Sequence, residues 1–325
     1  MKLFALNQSR DFGEKVALEL GMPLARHEER EFEDGEHKAR PLESVRDCDV
    51  YVIQSLHGGP DQSPNDKLCR FLFLLATMRE NGARRVNAVV PYLAYARKDR
   101  QTKTRDPITT RYMAELFEAV GTDTLITMDV HNIVAFQNAH RCRTVHLDTR
   151  QLFADRAIDL VGDEKVVVAS PDPGGVKRAQ LFRETLEACI GRPVGSAFME
   201  KRRSAGSVTG SHLVGDVDRT TVLVIDDLIS SGGTMVRAAK ACREHGAQNV
   251  YAFAGHGLFV GDAARTIADP SISRTFVTDT VPPFRLGADV NQGRLETISA
   301  GPLFGEAIRR LHAGQSIADL LNWPE

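Results

Sequence analysis

A rhythm runs the whole length of this chain and leaves few folds open to it: short apolar, β-branched runs alternate with amphipathic stretches. The first half reads DVYVIQS (49–55), an amphipathic stretch over 67–81, RVNAVVPYLAY (85–95), RYMAELFEAVG (111–121) and TLITMDVH (124–131). The second half repeats the scheme with KVVVASPD (165–172), RAQLFRETLEACIG (178–191), TTVLVIDD (220–227), TMVRAAKACREHG (234–246), NVYAFAGHG (249–257) and RTFVTDT (274–280). Strands buried on both faces read as continuous apolar runs, and the stretches between them suit crossover helices. The alternation predicts an α/β fold of mostly parallel sheets flanked by helices. At about 150 residues per domain, a chain of 325 residues holds two domains.

The halves also resemble each other. Asp49 to Gly59 can be laid beside Thr221 to Gly233, and Met78 to Val90 beside Cys242 to Ala254. In each second pair a helix is expected to end at Gly-Ala, with a new strand starting at Val86 or Val250. The first copy carries a loop insertion around PDQSPND. The copies differ where it matters: Asp226-Asp227 follows the strand in the second, Gln54-Ser55 in the first. The domains are therefore expected at 1–147 and 148–325, with the closing residues packing back on the first.

Charge and composition narrow the function classes. Lys and Arg number 41 against 43 Asp and Glu, a formal net charge of −2. No global field draws such a chain to nucleic acid or an acidic membrane, so any anion site has to be local. The apolar run Phe71 to Ala76 falls far short of the roughly 20 residues needed to cross a bilayer. The start, MKLFALNQSR, lacks a signal-peptide pattern, and a cytoplasmic protein is expected. The five cysteines form no CxxC pair and read as buried or free thiols.

The most informative segment is VLVIDDLISSGGT (222–234). An apolar strand ends in two carboxylates, and a small-residue loop then leads to a helix expected near Met235, at the sheet edge where open α/β folds bind ligands. Small residues let loop amides turn inward around an anion, with Ser230, Ser231 and Thr234 adding hydroxyls. Asp226 and Asp227 suit sugar hydroxyls, or a divalent cation through water. A phosphosugar satisfies both halves, and an ordinary strand-to-helix turn is the alternative. The sequence holds no Walker GxxxxGK[ST].

Other polar groups admit two readings each. SPDPGG (170–175) puts Asp172 at a strand end before a flexible turn, or is a surface turn. Arg97, Lys98, Arg100, Lys103 and Arg105 form a solvated face or a triphosphate site, for which Arg offers bidentate hydrogen bonds. His131 beside Asp129 is a structural histidine or a ligand.

The loop at 222–234 resembles the phosphoribosyl diphosphate loop of type I phosphoribosyltransferases and of ribose-phosphate pyrophosphokinases, the phosphoribosyl diphosphate synthases. The remaining motifs resemble the synthases in family order across nearly the whole chain: FEDGE (32–36), PYLAYARKDR (91–100), QTKTRDPIT (101–109), DVH around His131, SPDPGGVKRA (170–179), KRR (201–203) and TDTVP (278–282). The resemblance implies two similar type I phosphoribosyltransferase-like domains, and transfer of the diphosphoryl group of ATP to ribose 5-phosphate in nucleotide biosynthesis. It implies ATP on Phe32, Asp34, Glu36, Arg97, Asp99 and Arg100, with FEDGE reaching the adenine from a neighbouring subunit of a homo-oligomer. It implies ribose 5-phosphate on Asp226, Asp227, Ser230, Ser231, Gly232, Gly233 and Thr234, and Mg²⁺ on His131 and Asp172. Lys201, Arg203 and Arg105, the last on a mobile loop, are implied to stabilise charge in the transition state.

The chain departs from the family at Ser230-Ser231, where many synthases have Asp-Thr and an archaeal class begins with serine. Lys98 replaces the usual glutamine, and NIVAFQNAHRCR after His131 lacks the familiar Gln-Ile-Gln-Gly-Phe-Phe. Alternatives are a non-catalytic synthase-associated subunit, a different ribose phosphate acceptor, or a transferase that consumes the diphosphate. The last accounts for neither FEDGE nor KRR.

Overall fold

The structure, a computed structural model, describes residues 1–204, 207–287 and 293–321, with backbone alone at 201–204 and 207–211. It divides into two compact units, Met1–Leu147 with Ala300–Glu325, and Asp148–Ser299.

The first unit is built on β1 (Lys2–Ala5), β4 (Asp49–Ile53), β5 (Arg85–Val90), β6 (Thr124–Met128) and β7 (Arg143–Leu147), all parallel in the order β1-β4-β5-β6-β7. Strands β2 (His27–Glu31) and β3 (His37–Pro41) form a separate antiparallel hairpin. The helices are α1 (Arg10–Leu20), α2 (Pro64–Glu80), α3 (Thr109–Ala119) and α4 (Ile133–Ala139). Parallel neighbours cannot be joined by a tight turn, so crossovers are obligatory. Helix α2 shows how the sequence builds one. Ser63 Oγ accepts from the Asp66 amide at 3.2 Å and Asp66 Oδ2 from the Ser63 amide at 2.8 Å, with Pro64 in the first turn. Leu68, Phe71, Leu72 and Leu75 then make a stripe buried against the sheet.

The second unit has α5 (Arg150–Val161), β8 (Val166–Ser170), α6 (Val176–Ile190), β9 (Gly195–Ser204), β10 (Ser207–Val214), β11 (Thr221–Ile229), α7 (Gly233–Glu244), β12 (Asn249–Gly257), α8 (Ala263–Ile267), β13 (Arg274–Thr278) and β14 (Leu295–Ile298). The sheet order is β10-β9-β8-β11-β12-β13-β14, and the β9–β10 pair is antiparallel. Its core includes Phe253 stacked on Phe276 with ring centroids 4.6 Å apart.

The likeness of the two halves extends to single hydrogen bonds. Ala83 donates to Met78 O at 3.1 Å and Ala247 to Cys242 O at 3.0 Å, after Gly82 (φ +86°) and Gly246 (φ +92°), which end their helices in the left-handed region open to glycine. Arg79 Nε donates to Gly121 O at 3.2 Å, and Arg243 Nε to Ser271 O at 3.1 Å. At the strand ends, Asp129 N–H reaches Leu147 O at 3.0 Å and Asp279 N–H reaches Ile298 O at 3.1 Å.

A closing helix, α9 (Gly301–Ala313), belongs to the first unit and packs on α1, with Phe304 edge-on to Phe12 at 5.4 Å. Its His312 Nδ1 lies 3.1 Å from Asp49 Oδ2, and Arg84 Nε lies 3.0 Å from Asp49 Oδ1. Leu321 is buried beyond it; Trp323 lies outside the described residues. All five cysteines are free thiols. Burial pushes the Cys242 thiol up to about 12 and Cys142 to about 11. No helix among the described residues is long and apolar enough to cross a membrane.

Candidate active site

In the second unit the chemistry gathers at the carboxyl end of β11. Adjacent residues of a strand start toward opposite faces, yet Asp226 and Asp227 converge. The Asp227 amide donates to Asp226 Oδ1 at 2.9 Å, and Arg178 Nη1, from α6, lies 3.6 Å from Asp226 Oδ1 and 3.5 Å from Asp227 Oδ1. Both carboxylates are largely withdrawn from water, at 19% and 5% side-chain exposure. Burial, then the charge of Asp227, push the Asp226 carboxyl well above its usual range, and Arg178 works against both.

The small-residue loop follows directly. Gly232 sits at φ +78° as the cap of α7, which starts at Gly233, two residues before the expected Met235. A Cβ on Gly232 would lie 2.3 Å from Thr266 Cγ2, so the close approach of α8 demands glycine as much as the backbone angle does. No side chain caps the helix start, so its first amides retain donor capacity toward the loop. The residues after β12 brace the loop from behind: Leu258 N–H donates to Ile229 O at 2.9 Å and Val260 N–H to Ser230 O at 3.0 Å. Ser231 is exposed, and Arg237 Nη2 folds back to donate to Thr234 Oγ1 at 3.2 Å.

Asp172 closes the turn after β8, its Oδ1 accepting from the Gly175 amide at 3.0 Å. A Cβ on Gly175 would meet Ser170 Oγ at 2.7 Å, so that turn is fixed as tightly as the loop. It lies against β11 and launches α6, whose first turn carries Arg178. Lys201, Arg202 and Arg203 lie on β9, where Lys201 pairs with Ser211 and Arg203 with Val208 in the β10 register. Their side chains fall outside the described residues.

In the first unit the FEDGE segment is the tip of the β2–β3 hairpin, exposed from Phe32 to Glu36. Phe32 N–H donates to Glu36 O at 2.8 Å, Glu36 N–H to Asp34 Oδ1 at 3.1 Å, and Arg30 lies 5.1 Å from the centre of the Phe32 ring. The segment 91–100 leaves the end of β5 with Arg97 and Arg100 exposed. Asp99 meets the residue after His131: Asn132 Nδ2 donates to Asp99 Oδ2 at 2.5 Å, while Asn132 Oδ1 accepts from the Ala135 amide at 3.1 Å to cap α4. His131 itself is exposed. Asp106 organises the loop 101–109, accepting from Lys98 Nζ, from Thr102 Oγ1 and Lys103 N–H at 2.8 Å, and from Thr102 N–H at 3.0 Å. The Lys98 and Thr102 hydrogen bonds hold its carboxyl far below the usual range. Arg105 stands exposed on this loop at φ +67°.

The structure thus groups Asp226, Asp227 and the loop to Thr234 beside the Asp172 turn in one unit, and Asp99 beside the His131 segment in the other. Sequence reasoning missed Arg178 and Asn132. Arg178 had a readable signal: a cation in the first turn of a helix opposes the helix dipole unless acids face it.

Comparison with known proteins identifies the family. Residues 1–121 match the N-terminal domain of ribose phosphate pyrophosphokinase, 144–257 the phosphoribosyl transferase domain, and 207–322 the phosphoribosyl synthetase-associated domain. A ribose-phosphate pyrophosphokinase of Caldanaerobacter subterraneus is 36% identical over 321 residues, 98% of this chain and 97% of that protein. One of Hyphomonas neptunium is 36% identical over 323 residues, 99% and 100% of the two chains. The crystal structure of phosphoribosylpyrophosphate synthetase from Mycobacterium smegmatis superposes with a TM-score of 0.86 at 31% identity, covering 96% of this chain and 99% of that one.

Proposed function

The chain belongs to the ribose-phosphate pyrophosphokinase family, and from that membership we propose that it transfers the diphosphoryl group of ATP to the 1-hydroxyl of ribose 5-phosphate. The products are phosphoribosyl diphosphate, a precursor for nucleotide biosynthesis, and AMP. The hydroxyl oxygen bonds to the β-phosphorus, the bond from that phosphorus to the α,β-bridging oxygen breaks, and the hydroxyl proton leaves. The observation that carries this reading is the loop after β11, which joins two converged carboxylates to an uncapped helix start. The carboxylates accept hydroxyls, and Ser230, Ser231, Gly232, Gly233 and Thr234 receive the 5-phosphate.

ATP is assigned to Phe32, Asp34, Glu36, Arg97, Asp99 and Arg100. The exposed tip Phe32–Glu36 supports completion of the nucleotide site by a second copy of the chain in a homo-oligomer. Mg²⁺ is assigned to His131 and Asp172, an imidazole and a half-exposed carboxylate at strand ends. Mg²⁺ characteristically keeps several waters and is held by one or two protein ligands together with substrate phosphate oxygens. When bound, the ion supplies charge neutralisation on the triphosphate. Lys201, Arg203 and Arg105 are assigned to the charge that develops during transfer. A cytoplasmic setting without membrane or nucleic-acid partners completes the proposal.

Incubation with ATP, Mg²⁺ and ribose 5-phosphate is expected to yield AMP only when the sugar phosphate is present. Lys201→Ala or Arg203→Ala should lower turnover far more than ATP affinity. Silence with ribose 5-phosphate but turnover with ribose 1-phosphate would move the acceptor, and no AMP with either would overturn the reading.

A further inference from the structure

Nothing in the local chemistry of α6 recommends an arginine at position 178. The helix starts at Val176, so Arg178 lies in its first turn, where the dipole disfavours a cation. Its side chain is only 21% exposed. The compensation comes from elsewhere in the fold, because the guanidinium is brought over the end of β11 onto both carboxylates, 3.6 Å from Asp226 Oδ1 and 3.5 Å from Asp227 Oδ1. The path is rigid. The Asp172 side chain and the close-packed Gly175 fix the turn before α6, and α6 is packed on the sheet through Ala179, Phe182 and Leu186.

We infer that Arg178 is a positioning residue for ribose 5-phosphate: it draws Asp226 and Asp227 together over the end of β11, so that the pair presents converged oxygens to two neighbouring sugar hydroxyls. Two adjacent carboxylates withdrawn from water repel each other and tend to share a proton, and a protonated carboxyl becomes a donor where an acceptor is needed. One guanidinium facing both oxygens offsets part of that repulsion and leaves the outer lone pairs for the substrate. The role is indirect, since Arg178 acts through the carboxylates rather than on the transferring phosphoryl group. The inference rests on the proposed assignment of the pair to the sugar.

Steady-state kinetics of Arg178→Gln, Arg178→Lys, Asp226→Asn and the double variant Arg178→Gln with Asp226→Asn tests it. Sugar-phosphate-dependent AMP formation by the unaltered protein comes first, and its absence would count against the function rather than against this role. Arg178→Gln is expected to raise KM for ribose 5-phosphate at least tenfold, with KM for ATP within twofold and kcat less affected. Arg178→Lys should recover most of the loss, because a point charge at the same place still draws the two carboxyl groups together. The double variant should be little worse than Arg178→Gln alone, since the carboxylates then act as one unit with their counter-ion. Arg178→Lys also guards against misfolding, because it retains the cation over the buried pair. A drop in kcat with KM for ribose 5-phosphate unchanged, no recovery in the lysine variant, or fully multiplicative losses in the double variant would each overturn the role.

Discussion

At the scale of single residues, the acidic pair makes binding and stability pull in opposite directions. Asp226 is raised by burial and by its neighbour, so between the unfolded carboxylate value of about 3.9 and its higher folded value the native state binds more protons than the unfolded one. Stability is therefore full below the unfolded value and is lost as the pH rises through the folded one. Asn has no proton to lose. Asp226→Asn is expected to stabilise the ligand-free protein by about 1 kcal/mol near pH 7.5, roughly 2–4 °C in Tm. The advantage should vanish below about pH 4, while KM for ribose 5-phosphate rises tenfold or more. Melting curves from pH 4 to 8 check the sign, and a variant less stable than its parent near pH 7.5 would refute it. The pair was legible because an apolar run ending in Asp-Asp can place carboxylates only at a strand end. Its counter-ion was not, because Arg178 lies some fifty positions earlier and only the β8–β11 pairing brings the two together.

At the scale of elements, the strand, loop and helix from 221 to 244 follow the apolar pattern and small-residue spacing, and α7 begins within two residues of the expected place. The tertiary reason for the second-last glycine before Thr234 was invisible, since it depends on α8 crossing the loop. Two costs meet at Gly232: about 1–2 kcal/mol for a side chain in the left-handed region and about 1–3 kcal/mol for the Thr266 clash. Gly232→Ala is accordingly expected to lose about 2–5 kcal/mol in thermal unfolding. Adding Thr266→Ala removes the Cγ2 contact and should restore only the steric part. Full restoration would mean that the backbone angle carries no strain, and none would mean that α8 does not crowd the loop. The loop from 101 to 109, expected to be mobile, is tied through Asp106 to Lys98, the position where the family usually has glutamine. That link joins two local motifs whose spacing alone does not reveal it.

At the scale of the whole molecule, the alternation of strands and helices was enough to indicate α/β units, and the Gly-Ala endings to indicate that the halves are alike. The matching bonds of Arg79 and Arg243 rest on geometry that no motif spells out. The closing helix is the larger lesson. The sequence leads one to expect the closing residues to pack back on the first domain, as they do, and what it does not show is the close approach that seats them. A Cβ on Gly305 would fall 2.6 Å from Glu19 Cβ and 3.2 Å from Val16 O, so α9 seats against α1 only where one side chain is missing. Extra volume at such a contact costs about 1–3 kcal/mol, because the helices must part. Gly305→Ala should therefore accelerate hydrogen exchange in α1 and α9 while leaving α7 and β11 in the second unit as protected as before. Acceleration spread evenly through both units would show that the chain unfolds as one cooperative body, whereas no change in α1 would show that the two helices are not held by this contact.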